Sequence, residues 1–222
     1  MGLARARIED ITRQAGLSKG AFYLHFEDKE SLFQELLDGM MLKLGSNITA
    51  RESAVTAFLE GQPLTARDVH ERSPAHEALL KLECRFDREV LELMWQERAV
   101  FSVLIRGSSG TRFDGMAWEV ADAEVRRLEE AYGRMQKLGA CRDDLPPEVF
   151  GSLVVGTYFL LAERMTRMKT PPDFEKWVGA IQRLIREGSA PLAVRAPAGK
   201  ARVRSRRARA TNASNAHSGG RR

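Results

Sequence analysis

The sequence predicts an all-α protein, a small helix-turn-helix head followed by a larger helical body. Three observations carry that expectation. Apolar residues recur three and four positions apart through the long segments, the period at which one face of a helix is buried. Glycine and proline punctuate those segments at Gly16, Gly61-Gln62-Pro63, Gly107 to Gly110, Gly139, Pro146-Pro147 and Pro171-Pro172. The stretch from Arg7 to Phe26 reads as two short helices around a tight turn.

In that stretch Ile8, Ile11 and Ala15 form one apolar face, and Gly16 ends the first helix as a residue that tolerates positive φ. Ser18 is placed to cap the second helix through its hydroxyl. Phe22 and Phe26, four apart, share the inner face, which leaves Lys19, Gly20, Ala21, Tyr23 and His25 pointing elsewhere. Helices this short bury little, so their outward face is free to bind. Two helices around a glycine-containing turn, with small residues opening the second, describe a helix-turn-helix whose second helix enters the DNA major groove. The same spacing also fits an ordinary helical hairpin at a domain edge. On the DNA reading, Lys19, Gly20 and Ala21 lie where bases are read, with Gly20 and Ala21 offering only close backbone approach or a methyl contact. Tyr23, His25 and Lys29 fall to phosphates, which position the protein without reading sequence.

Asp28 is a good N-cap, with Glu30 in the first turn to suit the helix dipole. Leu32, Phe33, Leu36, Leu37, Met40, Met41 and Leu44 then make a stripe on a helix that joins head to body, so that movement of the body reaches the head through it. Residues 46–60 read as an amphipathic helix on Ile48, Val55, Phe58 and Leu59. A long helical region runs from about Ala75 to Arg106 with a kink near Trp95, and another helix from Met116 to Leu138 is capped by Gly139. Pro146-Pro147 opens a helix that reaches about Met168, where Gly151 and Gly156 invite close approach by a neighbour. Phe174, Trp177, Val178, Ile181, Leu184 and Ile185 give a last amphipathic helix. The expected divisions are a head over 1–45, a body over 46–188 and a disordered basic tail over 189–222, rich in Ala, Arg, Ser, Gly and Pro.

The net charge of +5 is a property of the tail. Nine of the 35 basic residues lie from Ser189 onward with no acidic residue among them, which leaves 26 basic against 30 acidic residues, a net −4, for the rest. The tail's arginines could add sequence-independent, salt-sensitive DNA affinity. With 43% hydrophobic residues the chain can build a core. Cys84 and Cys141 are too few for a disulfide framework and read as reduced residues of a cytoplasmic protein. No signal peptide and no membrane span is expected.

Ile8-Glu-Asp-Ile11, Ala15-Gly-Leu-Ser-Lys-Gly20, Phe22-Tyr-Leu-His-Phe26 and Lys29-Glu30 resemble the DNA-binding signature of the TetR family of bacterial transcriptional regulators. The resemblance covers about the first 45 residues; beyond them only the helical layout is similar. It implies a homodimer in which the last two long helices pair across a two-fold axis, reading a palindromic operator in two half-sites. It also implies a repressor released by a small-molecule effector. Family members carry a further helix ahead of the helix-turn-helix, whereas only Met1 to Ala6 precede it here, with Gly2-Leu3 in the place of the loop that follows that helix. Ile8, Ile11, Phe22 and Phe26 are therefore expected to lack part of their cover. Two explanations stand: a start codon upstream, or a head truncated at its N-terminus. The second gives an alternative function, a dimeric small-molecule-binding or protein-interaction module that has lost DNA binding.

No catalytic constellation is expected. His25 belongs to the second helix of the motif, His70 and His76 are six apart, and no HExxH, GxSxG, phosphate loop or dinucleotide glycine pattern occurs. Neither a cofactor nor a metal is implied. Met94, Trp95, Phe101, Met116, Trp118, Met135, Tyr158 and Phe159 are the candidates to line an effector cavity between helices, although residues so spaced serve equally as core. The absence of an obvious charged cluster points to an apolar or amphipathic effector.

Overall fold

Leu3 anchors the start of the chain: it is buried in a 3-10 turn (Leu3–Arg5), and its N–H donates to Gly107 O at 2.7 Å. Nine α-helices follow among the residues that the computed structural model describes, 2–189, apart from the side chains of Ala66 and His70. They are α1 (Ile8–Ala15), α2 (Lys19–Tyr23), α3 (Lys29–Gly61), α4 (Ala66–Glu71), α5 (Pro74–Gln96), α6 (Arg98–Arg106), α7 (Met116–Lys137), α8 (Pro147–Met165) and α9 (Phe174–Ser189). The described residues contain no strand and no helix long and apolar enough to cross a membrane. They fall within one compact unit, Met1–Leu192. The basic tail beyond Ser189, with His217, lies outside them.

Most expected boundaries hold. Ser18 accepts from Ala21 N at 3.0 Å, and Asp28 forms a capping box with Ser31. The long helical region does break, at Glu97, into α5 and α6. Three boundaries differ. Residues 46–60 are no separate helix: α3 runs unbroken for 33 residues, because neither Gly45 nor Ser46 interrupts its hydrogen bonding. Helix α5 starts at Pro74, where Ser73 accepts from His76 N. Helix α8 stops at Met165, and Met168 closes a turn onto Met165 O at 3.1 Å.

The core divides in two. One cluster joins Leu3, Phe33, Leu37, Met40, Val100, Leu104, Phe113 and Ala117, and so ties the opening turn and α3 to α6, α7 and the loop between those two. The other joins Leu91, Met165, Val178 and Ile181 from α5, α8 and α9. Helices α7 and α8 pack closely, with Tyr132 stacked on Phe150 at 4.1 Å. A Cβ on Gly151 would come within 2.9 Å of Val125 O, so this contact requires glycine. Gly156, expected to do the same, has nothing within 4 Å.

A polar ladder ties α3 to α5. Lys43 pairs with Glu97 at 2.5 Å, Asn47 donates to Glu89 at 3.0 Å, and Arg51 bonds Asp87 at 2.9 Å and also Glu83. Asp87 is buried and accepts in addition from Gln182 of α9.

Candidate nucleic-acid interface

The two head helices follow from their local sequence. Gly16 takes φ 69°, and the N–H groups of Gly16 and Leu17 bond Arg13 O and Thr12 O at 3.3 and 2.9 Å. This Schellman closure ends α1 and turns the chain into α2. Phe22 is buried and packs against Phe26 at 5.5 Å, while Ile8, Ile11 and Phe26 are half-buried. The expected shortfall of cover therefore spares Phe22. Thr12 is also buried, and its hydroxyl donates to Glu9 O at 3.2 Å.

The outward residues of α2 form a contiguous surface. Lys19 bonds Glu9 at 2.6 Å, an exposed pair that links α2 to α1. That hydrogen bond holds the Glu9 carboxyl below the usual carboxylate range and raises the Lys19 ammonium. Gly20 is exposed, and a Cβ there would meet only Ser18 Oγ at 3.7 Å, an ordinary contact. The fold itself does not require glycine at this position. Ala21 is half-buried beside it, and Tyr23, Leu24 and His25 are exposed. Tyr23 is held edge-on to Phe22 at 5.5 Å with Lys19 over its ring at 6.0 Å.

Lys29 stands apart from that surface. Its ammonium donates to Ala4 O at 2.6 Å and Ala6 O at 3.1 Å, closing the opening turn onto the start of α3. Next to it, Arg112 reaches Glu30, with its Nη2 donating to Glu30 O at 3.3 Å. Sequence reasoning gave no role to Arg5, on the opening turn, or to Arg7, the N-cap of α1, both exposed cations. Their signal was present, as basic residues directly ahead of the motif.

The candidate effector residues are divided between the two cores. Met94, Trp95 and Tyr158 pack on the α5–α8–α9 cluster, and Phe101, Met116 and Phe159 on the other. Trp118 is 65% exposed and lies over Phe159 at 4.9 Å; Met135 is exposed as well. The two best-formed hollows are shallow surface grooves lined by other residues, one on the second half of α8 and one on α3 around Leu42 and Gly45. A half-buried polar cluster escaped the sequence reading: Arg51 and Glu83 with the buried Asp87 and Gln182, and the Tyr158 hydroxyl buried beside them without a hydrogen-bond partner. Burial pushes the Glu83 carboxyl up. Burial opposes the Arg51 charge, but Asp87 and Glu83 outweigh it and raise the guanidinium. Burial, followed by the Asp87 charge, raises the Tyr158 phenol. The sequence held the clue, since Arg51 shares the apolar face of Ile48 and Val55.

No curated protein matches the chain. Residues 1–36 match the family model described as bacterial regulatory proteins, tetR family, a span that takes in the opening turn, both head helices and the first turns of α3. With the cap at Ser18, the αL turn at Gly16 and the open face of α2 in place, this N-terminal segment has the form of a helix-turn-helix and is similar to the DNA-binding segment of bacterial regulatory proteins of the tetR family.

Proposed function

We propose that the protein is a homodimeric transcriptional regulator of the bacterial cytoplasm, most simply a repressor, that leaves a palindromic operator when a small apolar or amphipathic effector enters its body. The observation that carries the reading is the outward face of α2, with Gly20 bare and Lys19, Tyr23 and His25 around it. Exposed Leu153 and Leu160 on α8 and Leu184 on α9 support pairing of those helices with a second copy. Tyr158 and Phe159, neighbours on α8, belong to different cores, so an effector wedged at this point would part the two. By linkage, DNA would lower effector affinity by the same factor.

The test is selection of duplexes from random-sequence DNA by the full chain, followed by gel shift. Enriched duplexes should carry inverted half-sites about 10 base pairs apart or a multiple of that, and Gly20→Val should abolish the shift. Absence of any enriched sequence sinks the DNA reading. A second reading, a dimeric small-molecule-binding or protein-interaction module without DNA binding, draws on one observation: Arg13, Lys19 and Lys29 are all satisfied within the chain. A compound that raises the unfolding temperature of a chain enriching no DNA would favour it.

A further inference from the structure

Between residues 2 and 31 the head carries five basic residues, Arg5, Arg7, Arg13, Lys19 and Lys29, against five acidic ones, Glu9, Asp10, Glu27, Asp28 and Glu30. A surface so balanced exerts little general pull on a polyanion. Attraction must come from cations whose charge is not already met. Arg13 lies on Asp10 at 2.5 Å and Lys19 on Glu9 at 2.6 Å. Lys29 keeps its charge, since its partners are neutral carbonyls, but two of its three protons are spent on Ala4 O and Ala6 O, which tie the ammonium to the opening turn. Arg5 and Arg7 are exposed and make no side-chain hydrogen bond or ion pair among the described residues.

The turn that bears Arg5 and leads directly into Arg7, the N-cap of α1, is fixed at three points: the buried Leu3 side chain, the Leu3 N–Gly107 O bond and the Lys29 ammonium. The carbonyls that Lys29 holds flank Arg5 on both sides and precede Arg7. Arg7 lies two residues before Glu9, which grips Lys19 at the first residue of α2. A guanidinium binds phosphate through a planar fork and so gains from a fixed direction of approach. Resting on the DNA-binding reading above, we infer that Arg5 and Arg7 are the phosphate anchors of the head, and that Lys29 positions them by clamping their turn instead of touching DNA itself.

The experiment measures affinity of the full chain for a duplex recovered by the selection above, as a function of KCl concentration. Each phosphate contact contributes about 0.9 to the slope of log affinity against log salt. In a dimer on two half-sites each substitution removes two phosphate contacts, so Arg5→Gln and Arg7→Gln should each lower that slope by about 1.8 and leave the unfolding midpoint unchanged, because neither side chain has a hydrogen-bond or ion-pair partner to lose. Lys29→Gln should weaken binding in the otherwise wild-type chain. In the Arg5→Gln/Arg7→Gln double variant it should change nothing further. The tail's arginines are common to all variants and cancel in the differences. A wild-type slope in both single arginine variants overturns the inference, as does a further fall of about 1.8 when Lys29→Gln is added to the double variant. Should Lys29→Gln fail to fold, the arginine variants decide. A wild-type chain that recovers no duplex fails earlier, at the DNA reading itself, and takes this assignment with it.

Discussion

Phe113 has no exposed surface and meets the Phe33 ring edge-on, with centroids 4.9 Å apart. It is the one aromatic of the α6–α7 loop, and it holds that loop beneath the start of α3. Phe113→Ala should cost about 3–5 kcal/mol, read by urea unfolding. Glu83 makes a different prediction, on pH. Its folded pKa lies above the ordinary 4.5, so its contribution to stability is full below that value and is lost as pH rises through the raised one. Glu83→Gln removes this dependence. The stability of the variant relative to wild type should therefore climb with pH from about 4.5 upward, in unfolding curves taken across that window; a flat difference would refute the assignment. At this scale the sequence was legible where a partner lies within a few residues. Ser18 and Asp28 could be read as caps because each bonds an N–H three positions on. The grip of Lys29 could not, since its partners are main-chain carbonyls 25 and 23 residues away, a feature every residue possesses.

Helix α8 shows two glycines on one element with opposite consequences. Gly151→Ala drives a methyl group into Val125 O and should destabilise the protein by about 1–3 kcal/mol. Gly156→Ala meets nothing within 4 Å and should stabilise the helix by up to about 1 kcal/mol. Thermal unfolding of the two variants side by side checks both signs. Periodicity identified α8 and suggested close packing, but not which glycine makes it, because that depends on how α7 lies across the helix. The reach of α3 was missed for a related reason. Gly45 and Ser46 are weak helix formers, but α5 and α6 pack along α3 and override the local preference. Helix α4 was overlooked although Thr65 and Asp68 spell out a capping box, with Asp68 accepting from Thr65 N at 2.9 Å.

For the whole molecule, the proposed dimer gives the plainest test. Leu160 is 67% exposed, so a charge there should cost the isolated chain little. Leu160→Glu should convert dimer to monomer by light scattering while the helical circular dichroism stays unchanged. A wild-type chain that is already monomeric at working concentration refutes the pairing. The helix-turn-helix stretch and the punctuation between helices were legible, but the seam that joins that stretch to the helices after it was not. That seam is the Leu3–Phe33–Phe113 cluster together with the α3–α5 ladder, both built from residues far apart in the chain. The ladder has a mechanical consequence. Its bonds at Lys43, Asn47 and Arg51 make that part of α3 a fulcrum, and the helix from Lys43 back to Lys29 becomes a lever arm of about 21 Å at 1.5 Å per residue. A tilt of about 5° at the fulcrum would swing the far end by roughly 2 Å. Two such arms opening together would move the reading helices out of step with the roughly 34 Å repeat of the double helix.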